Sequence, residues 1–162
     1  MKSTFNKLIL VLTVAFASCS EMPKEQNQKA IAKKVDAILN QMTLAEKVGQ
    51  MTQIDMRLLD SPNDIKKYHI GSILSGGGSV PKTNTPKGWL DMVNGYQDIA
   101  MNSRLGIPLI YGIDAVHGHN NVLGATVFPH NLALGAANDA DLVYRINKAT
   151  AIEVAALSLI HI

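Results

Sequence analysis

The apolar positions of the chain switch repeatedly between helical and strand-like spacing. From about residue 28 they recur every three or four residues, which predicts a first helix. Thr43, followed three positions later by Glu46, has the pattern of a capping box and marks the start of a second helix. The apolar residues expected on these helices are Ile31, Val35, Ile38 and Leu39 in the first, and Leu44, Val48 and Met51 on the buried face of the second.

Two short apolar runs, residues 70–74 and 109–113, have the length and composition of buried strands. The first leads into three glycines at positions 76–78, and the second leads into Asp114. Three glycines after a strand could cradle a phosphate, but neither the Lys-Ser/Thr pair of a P-loop nor a dinucleotide fingerprint follows. The glycines therefore indicate a tight turn at which the backbone closely approaches another group.

Two longer helices are predicted around the second strand. Thr85 followed by Pro86 supplies a cap and a proline at the first helical position, and Asp139 or Asp141 caps a helix over residues 142–156. Residues 125–139, before this last helix, are expected to be a loop with short apolar pieces. In the first of these helices Trp89 shares an apolar face, so it is assigned to the core rather than to sugar stacking. The other members of that face are Met92, Val93, Tyr96 and Ile99.

The alternation of strands and helices, joined by glycines and prolines, indicates an α/β fold with a parallel sheet. The net charge of the chain bears on which classes of binding partner the sequence supports. Its 15 basic residues include Lys2 and Lys7 near the N-terminus, and without these two the remaining 13 balance 13 acidic residues. Such a neutral balance gives no sign of a nucleic-acid partner or of binding to an anionic membrane surface.

Residues 1–18 have the layout of a secretory signal peptide, with a basic start, an apolar stretch and small residues before Cys19. The apolar stretch, residues 8–17, is too short for a comfortable membrane span. The polar residues 19–28 are expected to form a tether between this segment and the folded part.

Cys19 is the candidate lipidation site. Ala17-Ser18-Cys19 resembles the cleavage-and-lipidation site of bacterial lipoproteins, although Phe16 stands where leucine is usual. A lone cysteine in an exported chain has no disulfide partner, which favours lipidation over an incidental cysteine after an ordinary signal peptide. The expected location is the periplasm or the outer membrane, with the lipid as the only membrane contact.

Asp114 is the candidate binding residue, because functional groups of parallel α/β folds collect at the C-terminal ends of strands. Its carboxylate can accept hydrogen bonds from neighbouring hydroxyls of a sugar, or it can cap nearby backbone N–H groups; position alone does not separate these alternatives. His117 and His119 flank a glycine, and His130 follows a proline. Since no cysteine and no Glu-x-x-His pattern accompanies them, they are interpreted as loop-stabilising or pocket-lining residues, and no metal is predicted.

Four segments together resemble the N-terminal part of family-three glycoside hydrolases, in the branch of β-glucosidases and exo-β-glucanases. They are MTLAEKVGQMTQ, GSILSGGGSVP, SRLGIPLIYGIDAVHGHNNVLGATVFPHNLALGAAND and INKATAIEVAA, and they follow in the family's order over residues 42–156. The resemblance implies a retaining enzyme that removes β-linked glucose from β-glucosides or β-glucan oligosaccharides, with no metal or organic cofactor. It also implies that residues 29–156 form about the first three βα units of a TIM-type (β/α)8 barrel.

Only one family residue carries over. Asp114 matches the aspartate that hydrogen-bonds the hydroxyls of the terminal glucosyl unit. The family's nucleophilic aspartate and acid/base glutamate lie further along than the matched part, so the resemblance assigns no catalytic residue to this chain and implies that the chain alone is inactive. The family also includes β-xylosidases and N-acetylglucosaminidases.

The last six residues, LSLIHI at positions 157–162, are what a transposon-end sequencing adapter encodes when it is read in frame. They are therefore expected to be non-native and the chain to be a fragment of a longer hydrolase. The alternative from another functional class is a short surface lipoprotein that binds glycan without hydrolysing it.

Overall fold

A computed structural model describes residues 24–161 of the chain. The predicted signal peptide, Cys19 and the first part of the tether lie outside these residues. The chain divides into two compact units, one ending at Ala37 and the other beginning at Ile38. Within residues 24–161, no helix combines the length and the apolar character that crossing a bilayer requires.

The first helix, α1 (Lys24–Leu39), begins four residues earlier than its apolar spacing predicts. Residues 24–28, expected to belong to a polar tether, are therefore helical. The four apolar positions of α1 named above are 39–53% exposed.

The remaining helices and the strands alternate along the chain. The helices are α2 (Leu44–Gln50), α3 (Asp64–Lys67), α4 (Pro86–Met101), α5 (Asn131–Ala136) and α6 (Ala140–Ala155), with a 3₁₀ turn at Met56–Leu58. The strands are β1 (Gln53–Asp55), β2 (Ser72–Ser75), β3 (Ile110–Ile113) and β4 (Ile160–His161). They form one parallel sheet in the order β1-β2-β3-β4, as the α/β pattern predicts.

The two faces of the sheet differ in burial. Ile73, Tyr111 and Ile113 are at most 2% exposed, and Tyr111 stacks on Tyr96 of α4. On the opposite face Ile110 is 54% exposed. Side chains alternate between faces along a strand, so the alternation places Asp114 on the same face as Ile110.

Helix α4 packs its predicted apolar face against the core. Trp89 and Val93 are fully buried, while Met92, Tyr96 and Ile99 are partly buried against the same cluster. The indole Nε1 of Trp89 donates a hydrogen bond of 2.8 Å to Asn84 Oδ1, which satisfies its polar atom. The assignment of Trp89 to the core is confirmed.

The predicted buried face of α2 is wrong. Leu44, Val48 and Met51 are 78%, 52% and 80% exposed, whereas Glu46 and Gly49 are buried. A Cβ atom at Gly49 would lie 2.3 Å from the carbonyl oxygen of Tyr68, so only a glycine lets this face of α2 approach the neighbouring backbone. Close backbone packing, rather than apolar area, decides which face of this short helix is buried.

Near the end of the chain, the structure contains a helix and a strand that the sequence pattern did not predict. Between β3 and α6, a region expected to be a loop contains α5, and the ring of His130 accepts the hydrogen bond of Leu132 N–H at its start. After α6, Leu157 and Leu159 are buried, and the backbone of residues 160–161 pairs with β3. The non-native origin of residues 157–162 stays a prediction.

Candidate functional site

Asp114 lies at the C-terminal end of β3, next to the end of β2. Its backbone N–H donates a hydrogen bond of 3.1 Å to the carbonyl oxygen of Ser75, the residue immediately before the glycines. Asp114 and the predicted turn after β2 are therefore neighbours. They lie at the C-terminal ends of two paired strands.

The carboxylate of Asp114 is partly exposed. Within the part of the chain that the structure describes, it forms no hydrogen bond and no ion pair with another residue. Of the two alternatives that the sequence left open, capping of nearby backbone N–H groups therefore has no support from the geometry. Among the described residues, no donor occupies its acceptor positions, which leaves them available to a ligand.

The glycines after β2 form a tight turn, closed by a hydrogen bond of 3.0 Å from Ser79 N–H to the carbonyl oxygen of Gly76. Gly78 has a φ of 81°, a left-handed conformation that favours glycine. Ser79 is fully buried, and its hydroxyl donates to the carboxylate of Asp55 at 3.2 Å. The turn is thereby attached to the end of β1.

Asp55, at the C-terminal end of β1, is a further polar residue at the same end of the sheet as Asp114. The sequence pattern did not predict it, because β1 has only three residues and shows no clear alternation. Its carboxylate accepts hydrogen bonds from Arg57 Nε at 3.0 Å and from Arg57 Nη2 at 2.9 Å. The Arg57 guanidinium holds the pKa of the Asp55 carboxyl below its usual value, although partial burial acts in the opposite direction. Asp55 is thus an ionised group already engaged by protein donors, unlike Asp114.

Asp55 and Asp114 lie on strands that do not pair with each other. Asp55 pairs in register with Leu74, and Leu74 with Gly112, so Asp55 and β3 are separated by two strand spacings, roughly 10 Å. Of these two carboxylates, Asp55 is engaged by Arg57, whereas Asp114 has no partner among the described residues.

The loop after Asp114 brings two of the candidate histidines together. The rings of His117 and His130 meet edge to face with centroids 5.1 Å apart, and His117 Nδ1 lies 3.2 Å from the carbonyl oxygen of Phe128. No cluster of three or more His, Cys, Asp or Glu side chains fit to hold a metal occurs among residues 24–161. Both rings thus hold the loop together, and the absence of a metal stays a prediction.

His119 lies apart from the other two. It is 1% exposed, its ring meets that of Trp89 edge to face, and it lines an open pocket of about 320 Å³ together with Glu153. Neither ring nitrogen has a hydrogen-bond partner in the described part of the chain, and the same holds for Glu153 Oε2. Burial lowers the pKa of His119, while the charge of Glu153 raises it in part.

Two known β-glucosidases are similar to this chain in sequence. The lysosomal β-glucosidase of Dictyostelium discoideum is 45% identical, with 63% of this chain and 14% of the relative covered. The periplasmic β-glucosidase of Salmonella typhimurium is 32% identical, with 75% of this chain and 14% of the relative covered. The chain thus spans only 14% of the length of each relative.

The fold of this chain is also similar to that of a solved structure. The crystal structure of an exo-1,3/1,4-β-glucanase from a Pseudoalteromonas species superposes with a TM-score of 0.73 at 43% identity, covering 80% of this chain and 17% of that chain. The parallel sheet with its helices is therefore part of a TIM-type barrel, which confirms the predicted fold class. The family model described as the glycosyl hydrolase family 3 N terminal domain matches residues 43–161. Since this match covers most of the chain, the protein belongs to the family 3 glycosyl hydrolase N-terminal domain family.

Proposed function

We propose that the chain is the N-terminal part of a hydrolase that removes terminal β-D-glucosyl residues from β-glucosides or β-glucans by a retaining mechanism. Membership of the family and the similarity to two β-glucosidases and an exo-β-glucanase support this activity. The role of this chain is supported by the carboxylate of Asp114 at the C-terminal end of β3, which has no partner among the described residues. Active sites of TIM-type barrels lie at the C-terminal ends of the strands.

In this proposal Asp114 binds the sugar and does not perform the bond cleavage. An ionised carboxylate accepts short, charge-assisted hydrogen bonds from hydroxyl groups, which orients the terminal glucosyl unit. Such bonds accelerate the reaction when they strengthen as the ring distorts toward the oxocarbenium-like transition state. The nucleophile and the acid/base group are proposed to come from other parts of the complete enzyme, so this chain by itself should hydrolyse no glucoside.

The test replaces Asp114 in the complete enzyme. We expect Asp114→Ala to lower kcat/KM on an aryl β-glucoside roughly 30- to 1000-fold, the cost of losing one stabilising group in the transition state. The melting temperature should change little, because no donor among residues 24–161 depends on this carboxylate. Asp91→Ala is a matched control, since Asp91 is exposed on α4 and its ion-pair partner among residues 24–161 is the exposed Lys87. Near wild-type kcat/KM in Asp114→Ala would show that the carboxylate does not bind the sugar.

Export and lipidation at Cys19 are a second part of the proposal. The signal-like residues 1–18 and the similarity to a periplasmic β-glucosidase support export, and the sequence around Cys19 supports a lipid anchor. In a bacterium with lipoprotein processing, Cys19→Ser should release the protein from the membrane fraction. Membrane association that is unchanged by this substitution would contradict the lipid anchor.

The proposed domain division places the barrel segment at residues 29–156 and treats residues 157–162 as non-native. The identity of these six residues with adapter-encoded residues supports this division. Sequencing the gene from an independent sample tests it: codons past residue 156 should encode a different continuation. The same LSLIHI sequence followed by a stop codon would overturn it and would favour the glycan-binding lipoprotein.

A further inference from the structure

We propose that Tyr111 is a positioning residue for Asp114. Through the hydroxyl of Ser75, it fixes the C-terminal ends of three strands, and with them the place at which the Asp114 carboxylate meets the sugar. This inference rests on the proposed function, because it concerns how the sugar-binding carboxylate is held. It assigns a role to a buried pair of hydroxyl groups on the side of the sheet that faces α4.

Ser75 and Tyr111 form a hydroxyl pair inside the protein. Both side chains are fully buried, and Ser75 Oγ lies 2.8 Å from Tyr111 Oη. The sulfur of Met56 lies 3.1 Å from Ser75 Oγ and 3.4 Å from Tyr111 Oη. One hydroxyl can donate to the other, and the second can donate to the sulfur, which is a weak acceptor. Both hydroxyl protons therefore have a partner within this group of three side chains.

The three side chains join neighbouring strands near their C-terminal ends. Ser75 is the last residue of β2, Tyr111 belongs to β3, and Met56 follows directly after β1. The backbone hydrogen bonds of the sheet already pair β2 with both other strands. The side-chain contacts add a second connection at the end of the sheet where Asp114 lies, so the three strand ends are held in one arrangement.

Ser75 connects this hydroxyl pair to Asp114. Its carbonyl oxygen accepts the Asp114 N–H at 3.1 Å, while its hydroxyl contacts Tyr111, whose ring stacks on Tyr96 of α4. Because side chains alternate along a strand, Asp114 lies on the face of the sheet opposite to Tyr111. A shift of Ser75 would therefore move the end of β3 and the carboxylate with it, although the buried hydroxyls themselves do not contact the sugar.

Core packing by itself does not require these two hydroxyls. Tyr111 belongs to an apolar cluster, in which phenylalanine at this position and alanine at position 75 would bury no polar side-chain atoms. Burial raises the pKa of Tyr111, and the hydrogen bond with Ser75 lowers it in part, so the phenol stays protonated and can donate. A fully satisfied buried pair of this kind specifies one geometry. A binding carboxylate benefits from such support, because its hydrogen bonds depend on precise placement.

Tyr111→Phe in the complete enzyme tests the first step of this inference. The substitution removes one hydroxyl and keeps the ring that stacks on Tyr96. We expect kcat/KM on an aryl β-glucoside to fall roughly 10-fold and the inhibition constant of glucose to rise by a similar factor, since a misplacement of about 1 Å can cost roughly 100-fold. Tyr96→Phe is the matched control. It removes a neighbouring hydroxyl that has no hydrogen-bond partner among residues 24–161, so both constants should stay at the wild-type values.

A double-mutant cycle with Asp114→Ala separates positioning from a merely structural role. If Tyr111 acts through Asp114, Tyr111→Phe should cause little further loss of kcat/KM once the carboxylate has been removed. Ser75→Ala removes the other hydroxyl and should give the same pattern, so the test does not depend on one variant remaining folded.

Two results would overturn the inference while leaving the proposed function intact. The first is a lower melting temperature in Tyr111→Phe and Ser75→Ala with wild-type kcat/KM and an unchanged inhibition constant of glucose, which indicates a structural role alone. The second is the same fold-loss of kcat/KM with and without the Asp114 carboxylate, which indicates a general disturbance of the site. Near wild-type kcat/KM in Asp114→Ala would instead overturn the proposed role of Asp114, and the inference with it.

Discussion

Arg104 donates a hydrogen bond of 2.8 Å from Nε to Oε1 of Glu46, joining the segment after α4 to the first turn of α2 across 58 positions of sequence. The other oxygen of Glu46 accepts the backbone N–H of Thr43 at 2.8 Å, which completes the capping box. Glu46 is 4% exposed, and Arg104 and the N–H of Thr43 compensate its negative charge in this buried position. This contact, together with the close backbone packing at Gly49, accounts for the burial of Glu46 and Gly49 in α2, while Leu44 and Val48 are exposed.

The first prediction concerns acid stability. Arg104 and Thr43 lower the pKa of Glu46 to about 2, from an unfolded value of 4.5. The unfolded state therefore takes up a proton first, so the contribution of Glu46 to stability is complete above pH 4.5 and is lost as the pH falls toward about 2. Denaturant titrations of the complete protein between pH 6 and 2 should show a smaller loss in Glu46→Gln than in the wild type. An identical pH profile in Glu46→Gln would contradict this assignment.

A second pH effect is expected at higher pH. Burial lowers the pKa of His119 below its usual value of 6.5, so the unfolded state binds a proton that the folded state excludes. The free energy of unfolding should then fall as the pH drops below about 6.5, and His119→Phe should remove that part of the fall. His130→Asn is a control at an exposed histidine, since asparagine retains an acceptor for the N–H of Leu132. An NMR titration of the ring that gives an ordinary pKa would contradict the prediction.

The third prediction separates core packing from sugar stacking at Trp89. Because its side chain is fully buried among core residues, Trp89→Ala should lower the free energy of unfolding by about 3–5 kcal/mol. Trp89→Phe should cost less and leave KM for an aryl β-glucoside unchanged. A raised KM in a stably folded Trp89→Phe enzyme would instead indicate contact with the substrate.

The fourth prediction concerns the chain in isolation. Among the described residues, β1 pairs only with β2 and β4 pairs only with β3, so both edges of the sheet expose unpaired backbone groups. Expressed alone from Glu21, the chain should be poorly soluble or partly molten. A monomer with dispersed amide signals and a cooperative thermal transition would contradict this.

Local interactions are the part of the structure that the sequence alone determined. The capping box of Thr43 and the caps of α4 and α6 form as predicted, and Asp139 rather than Asp141 accepts the N–H of Leu142. These caps join residues three positions apart, so their geometry follows from the helix itself. The apolar spacing of α4 likewise predicted the burial of Trp89, because one helical face with several large apolar groups has a single favourable orientation.

The tertiary structure decided everything that depends on partners distant in sequence. The strand β1 is too short to show a pattern and exists because β2 pairs with it. The orientation of α2, the attachment of Ser79 to Asp55 and the burial of His119 depend on residues that no local spacing could identify. The sequence placed Asp114 at a strand end, but only folding left its carboxylate without a donor in the described part of the chain, because that depends on which neighbours the sheet brings there.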